Sequence, residues 1–290
     1  MRPEFEESQF AVFFQDDLTH RNHAGVELAP IGQVLEAKAG FDLGGWLPHA
    51  HPMWGLLHSA PLPGLSRPAW NPNLSPTVAV TSKALNVFFQ FKRSDYLHRP
   101  YATYFGDLGG PYWRFHVDRT DNVGSLPQHE LLEELETRTA DLGLVRYVAP
   151  ICHTYAELEA LCYARGLLEE CVYVAPTRFA PAHTTCAYTS ATNMIVNPDP
   201  EATKADTWSD IRDALGELAT AATDVDDLVG RTAEVALSLG ARRPDQVRYP
   251  WRVPRGLPYE TRTLIQTYLP VAELLFRARL EWLVALVPAP

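Results

Sequence analysis

Hydrophobic positions along the chain fall into two regimes. The first half of the pattern alternates strand and helix. Leu85–Phe91 reads Leu-Asn-Val-Phe-Phe-Gln-Phe and is nearly continuously apolar. That predicts a central strand covered on both faces. Tyr112–Val117 alternates apolar and polar and predicts a half-exposed strand. Gln128–Arg138 places Leu131, Leu132 and Leu135 on one helical face. Val145–Ala149 and Val172–Ala175 are further strands, separated by a helix running from its cap at Thr154 through Glu170. Glu157 stands at the capping-box position of that helix. Strand, helix, strand, helix, strand with short turns predicts an α/β fold.

Past about residue 200 the period becomes helical throughout. Thr207–Ala222, Val225–Leu239 and Leu257–Val287 each predict a helix, the last broken or kinked at Pro270, and no strand is expected there. Before the α/β pattern, residues 1–29 are acidic and aromatic and read as a partly docked arm. Ile31, Val34, Leu35 and Lys38 predict a short helix that Gly40 ends, and Phe41–Trp46 predicts a strand start. Residues 48–76 hold seven prolines and three histidines and form an irregular insertion. The predicted organisation is an arm over 1–24, an α/β core over 25–190 and a helical extension over 191–290.

With 46% apolar and 21% charged residues, the 290-residue chain has enough material for a buried core. Its net charge of −10 disfavours bulk electrostatic capture of nucleic acid or anionic lipid, though not a local basic groove. No secretory signal opens the chain, so an intracellular, cytoplasmic protein with reduced thiols is expected. Leu264–Pro288 carries Pro270, Glu273, Arg277, Arg279 and Glu281, five interruptions that make it a poor membrane span. Its broad apolar pattern suits burial in the domain or contact with a second copy or partner protein.

Candidate chemistry begins at Phe89-Gln90-Phe91-Lys92. Strand side chains alternate, so Gln90 and Lys92 project to one face, where buried polar groups need partners or a task. Upstream stand Glu36, on the short helix, and Asp42, in Gly40-Phe41-Asp42-Leu43-Gly44. The plain alternative is that Gln90 and Lys92 mark where a strand meets water and that Asp42 forms a turn.

This set resembles the PD-(D/E)xK nuclease superfamily, in the variant where Gln replaces the second acidic residue. It is also similar to bacterial proteins associated with phage defence. The resemblance implies a restriction-endonuclease-like core, a mixed sheet flanked by helices, and hydrolysis of phosphodiester bonds of DNA, or of RNA, with Mg²⁺ or Mn²⁺. It implies Asp42 and Gln90 as metal ligands, Lys92 as the group acting on water and transition-state charge, and Glu36 as an accessory acid. The strand bearing Asp42 would lie beside the Gln-x-Lys strand, with the proline-rich insertion in the turn between them. Helices after the Gln-x-Lys strand in this superfamily often return polar groups to the site, which singles out His129. Arg93, Arg99 and Arg114, interleaved with tyrosines, would contact nucleic acid.

Two rivals stand beside this reading. One is a non-catalytic binding or assembly subunit that keeps the fold. The other is a zinc-stabilised module using Cys152, His183 and Cys186, with a second histidine group at His49, His51 and His58. Buried, inert thiols are the bland reading of the four cysteines. No Gly-x-Ser-x-Gly, Walker-type loop or dinucleotide fingerprint occurs, which removes support for serine-hydrolase, nucleotide-hydrolase and dehydrogenase chemistry.

Overall fold

The structure, a computed structural model, describes residues 1–21, 27–30, 83–119, 127–197, 201–241 and 259–287. The elements are α1 (Glu7–Arg21), β1 (Glu27–Pro30), β2 (Lys83–Phe91), β3 (Asp95–Leu97), β4 (Tyr112–His116) and α2 (Gln128–Arg138). Then come β5 (Gly143–Pro150), α3 (Tyr155–Tyr163), β6 (Cys171–Val174), β7 (Thr185–Ser190), β8 (Asn193–Asn197) and β9 (Glu201–Thr203). The chain continues with α4 (Trp208–Leu218), α5 (Val225–Ser238), α6 (Tyr259–Ala278) and β10 (Glu281–Val287).

Two five-stranded sheets result, ordered β1-β10-β2-β5-β6 and β3-β4-β7-β8-β9. The first is mixed: β2 and β5 run parallel and its other pairs are antiparallel. The fold is therefore mixed α/β. β2 sits at the centre of its sheet, as its apolar run predicts. Its odd positions Leu85, Val87, Phe89 and Phe91 pack in one core with Phe10 and Phe14 of α1, Leu158 of α3 and Ile211 of α4. Its even positions Ala84 and Phe88 pack in a second core with α2, α5, α6 and the facing sheet. A strand with a core on each side has no solvent face, so its sequence does not alternate between apolar and polar.

The capping box predicted at Thr154 and Glu157 is present, with Thr154 Oγ1 accepting from Glu157 N at 3.1 Å. The helix it starts ends at Tyr163, well short of Glu170, because Arg165 turns the backbone to φ 55°. Within the stretch read as a partly docked arm, residues 7–21 form a helix, and Phe5, Phe10, Phe14 and Leu18 are buried. α6 runs through Pro270 without ending there.

The larger correction concerns the C-terminal segment. Residues 281–287 are not helical; they form β10, inserted between β1 and β2 and paired with β2 from Lys83 to Phe89. Strands β8 and β9 also fall beyond residue 191, where only helices were expected. Leu269, Val271, Ala272 and Leu274 of α6 are buried within the chain itself. Among the described residues no helix is long and apolar enough to cross a membrane.

Candidate functional site

At the carboxyl end of β2 the even face turns polar. Gln90 is 1% exposed and Lys92 8%, and both reach the same partner, Gln128 in the first turn of α2. Gln128 Nε2 donates to Gln90 Oε1 at 2.7 Å and to the Ala278 carbonyl at 2.6 Å. Gln128 Oε1 accepts from Lys92 Nζ at 3.4 Å. The Ala278 carbonyl is one of the acceptors left open where α6 ends, so one amide side chain caps that helix and braces both β2 residues. Gln90 Nε2 completes its own bonding on the Phe91 carbonyl at 3.1 Å.

Lys92 Nζ also lies 5.6 Å from the centre of the Tyr147 ring, a cation–π distance. Burial lowers its pKa below the ordinary lysine value; Glu7 and Asp118 pull the other way and Arg279 adds to the lowering. Next to it His129 is fully buried, its Nδ1 2.8 Å from Tyr147 Oη. Its Nε2 is 3.3 Å from Glu133 Oε1 but makes no hydrogen bond. Burial, with Arg119 and Lys92 adding to it, pushes the His129 pKa down to about 3. The imidazole is thus neutral near pH 7, and burial likewise keeps the Tyr147 phenol protonated. With no exposed surface, His129 is closed off from the cleft, its ring packed on Tyr147 and Phe179.

The basic residues singled out from the sequence are largely matched already. Arg93 pairs with Glu6 at 2.8 Å and Arg114 with Asp95 at 3.5 Å. Arg99 is exposed and donates to Tyr101 Oη. Arg119 is spent on backbone, donating to the His183 and Ala180 carbonyls at 2.7 and 2.8 Å. Positive potential along this segment is correspondingly reduced.

Glu36 and Asp42 lie outside the described residues, as do His49, His51 and His58 and the 48–76 insertion. The expected neighbour of β2, a strand carrying Asp42, is replaced over Lys83–Phe89 by β10, while β5 holds the other edge. Cys152 and Cys186 sit in different cores, and His183 Nδ1 accepts from Ala180 N at 3.0 Å. All four cysteines are free and buried, and burial raises the Cys152 pKa to about 12. Among the described residues no group of three His, Cys, Asp or Glu is set to hold a metal ion. Gln90 offers one carbonyl oxygen, and that oxygen accepts from Gln128. The described residues therefore do not by themselves fit a divalent-cation site.

Gln90 opens onto a cleft of about 1120 Å³. Glu6, Glu7 and Arg93 line one side of it; Arg277, Arg279 and Glu281, from the α6–β10 corner, line the other. Sequence reasoning missed Gln128, although its place at the start of the helix after Gln-x-Lys was a usable signal. It also missed Tyr147 and Arg279, which only the sheet order and the α6–β10 corner bring here. No protein-family model, curated protein or solved structure matches the chain.

Proposed function

We propose that this chain hydrolyses phosphodiester bonds of nucleic acid, DNA or RNA, at the carboxyl edge of β2, on a restriction-endonuclease-like core. One observation carries the reading: Gln90 and Lys92, two apart on one strand face, are held by a single side chain from the following helix, beside an open cleft. In sheets with parallel strands, ligands collect outside the strands' carboxyl ends, and β2 and β5 form such a pair. An ammonium in a poorly solvated setting acts strongly on charge developing at a nearby phosphoryl group. Burial lowers the Lys92 pKa, which makes its ammonium a readier proton donor than that of an ordinary lysine. Gln128 keeps Lys92 and Gln90 oriented. Mg²⁺ or Mn²⁺, implied by the resemblance, enters only as a condition of the assay.

The test is cleavage of plasmid DNA and of RNA with and without Mg²⁺ or Mn²⁺, comparing wild type with Lys92→Met. The expected result is a loss of about 100-fold or more in cleavage, the scale of removing one preorganised electrostatic group. Melting should change little, because loss of the buried amine's desolvation cost is offset by the partner that Gln128 Oε1 loses. Equal cleavage by the variant would remove Lys92 from the chemistry.

A second reading, a non-catalytic binding or assembly subunit, is favoured by the engagement of Gln90 Oε1 with Gln128. It predicts nucleic-acid binding with no cleavage under any divalent cation.

A further inference from the structure

Two non-glycine residues among those described have positive φ, Arg165 at 55° and Arg279 at 52°. Both occupy the same place in the same motif. Arg165 follows the end of α3, and Gly166 N–H donates to the Leu161 carbonyl at 3.0 Å. Arg279 follows α6, and Leu280 N–H donates to the Leu275 carbonyl at 3.0 Å. These are Schellman closures, whose left-handed residue is usually glycine because a Cβ is disfavoured there. A cation at a helix C-terminus meets the helix dipole favourably, which offsets part of that strain at both sites.

The two arginines differ in what their guanidinium groups meet. Arg165 Nη1 pairs with Asp16 Oδ2 of α1 at 2.7 Å. Arg279 is exposed on the cleft wall and has neither a hydrogen bond nor an ion pair among the described residues. Several neighbouring polar groups are hydrogen-bonded elsewhere. Glu6 is taken by Arg93, Gln15 donates to Glu281 at 3.3 Å, and Arg277 donates to the Gly240 carbonyl at 2.9 Å. Arg279 thus lines the cleft as an exposed guanidinium without a matched partner among the described residues, near the carboxylates of Glu7 and Glu281. An anion bound at this guanidinium would supply the counter-charge that it lacks among the described residues.

We propose that Arg279 anchors an oxyanion site at this cleft, taking a phosphate-ester oxygen where Arg165 takes the carboxylate of Asp16. The identity of that phosphate as nucleic-acid backbone rests on the reading above; the oxyanion site does not require hydrolysis. A guanidinium offers a bidentate fork that suits phosphate geometry. Gln90 lines the same cleft.

The experiment follows binding of fluorescent single- and double-stranded oligonucleotides in EDTA by polarisation, with inorganic phosphate as competitor. It compares wild type, Arg279→Gly and Arg279→Lys. Glycine accepts the left-handed backbone, so Arg279→Gly should melt at or above the wild-type temperature. It should bind oligonucleotide about tenfold more weakly, the worth of one charge-assisted hydrogen bond at ~1.4 kcal/mol per decade. Arg279→Lys should fall between the two. Binding by Arg279→Gly within twofold of wild type overturns the site, as does a wild type that binds neither oligonucleotide nor phosphate. Arg279-dependent binding without cleavage by the wild type under any divalent cation keeps the site and defeats the hydrolase reading. Cleavage with binding indifferent to Arg279 does the reverse.

Discussion

Trp282 Nε1 donates to Asn86 Oδ1 at 2.9 Å inside the protein, across 196 positions of sequence. The same Asn86 donates through Nδ2 to Thr232 Oγ1 at 2.9 Å, and Thr232 in turn donates to the Leu228 carbonyl at 2.7 Å. One amide on the central strand thus fastens β10 on one side and α5 on the other. All of its polar atoms are buried, so nothing but these partners can satisfy them.

Replacing Asn86 with leucine keeps the volume and orphans the Trp282 indole N–H. We expect a loss of about 2–4 kcal/mol in urea unfolding, the range for stranding buried polar partners. Trp282 fluorescence should report the same transition. A loss below about 1 kcal/mol would mean that the network is incidental to stability.

Gly143 opens β5 directly opposite Asn86, and a Cβ built there would lie 1.8 Å from the Asn86 carbonyl oxygen. Backbone cannot yield as a side chain can. Gly143→Ala should cost roughly 3 kcal/mol or more, or leave the chain insoluble, because β2 and β5 must separate. Circular dichroism and thermal melting of the soluble fraction check this; a native-like melting curve would contradict the register.

His129 sets an acid limit. Its pKa is about 3 in the folded protein against an ordinary 6.5. Between these values the unfolded chain binds the extra proton, so stability falls as pH drops from 6.5 towards 3 and is independent of this group above 6.5. The slope is at most about 1.4 kcal/mol per pH unit. Glu133, whose pKa burial raises, acts weakly in the opposite sense over its own range. His129→Gln should flatten the acid limb of stability measured between pH 7 and pH 4. An unchanged limb would assign it to other groups.

How much of this was legible beforehand depends on the range of the interactions involved. The Leu85–Phe91 run marked a strand buried on both faces, and the Leu131, Leu132, Leu135 spacing marked α2. The box at Thr154 and Glu157 marked a helix start. Each is a local signal, set by side-chain period or by hydrogen bonds three residues apart. Gln90 and Lys92 were legible as a same-face pair for the same reason.

Glu281–Val287 was not legible as a strand. A short, continuously apolar run reads alike as buried helix or buried strand, and only the open edge of β2 decides between them. The occupant of the flank where an Asp42 strand was expected, and the arrival of Gln128 and Arg279 at that edge, were equally hidden. Periodicity and capping along the chain thus determined which stretches became elements and which face of β2 carried the polar pair. Tertiary structure decided the strand order, the Asn86–Trp282 link and the composition of the cleft. Those depend on contacts between residues tens to nearly two hundred positions apart, and local patterns carry no record of such distant partners.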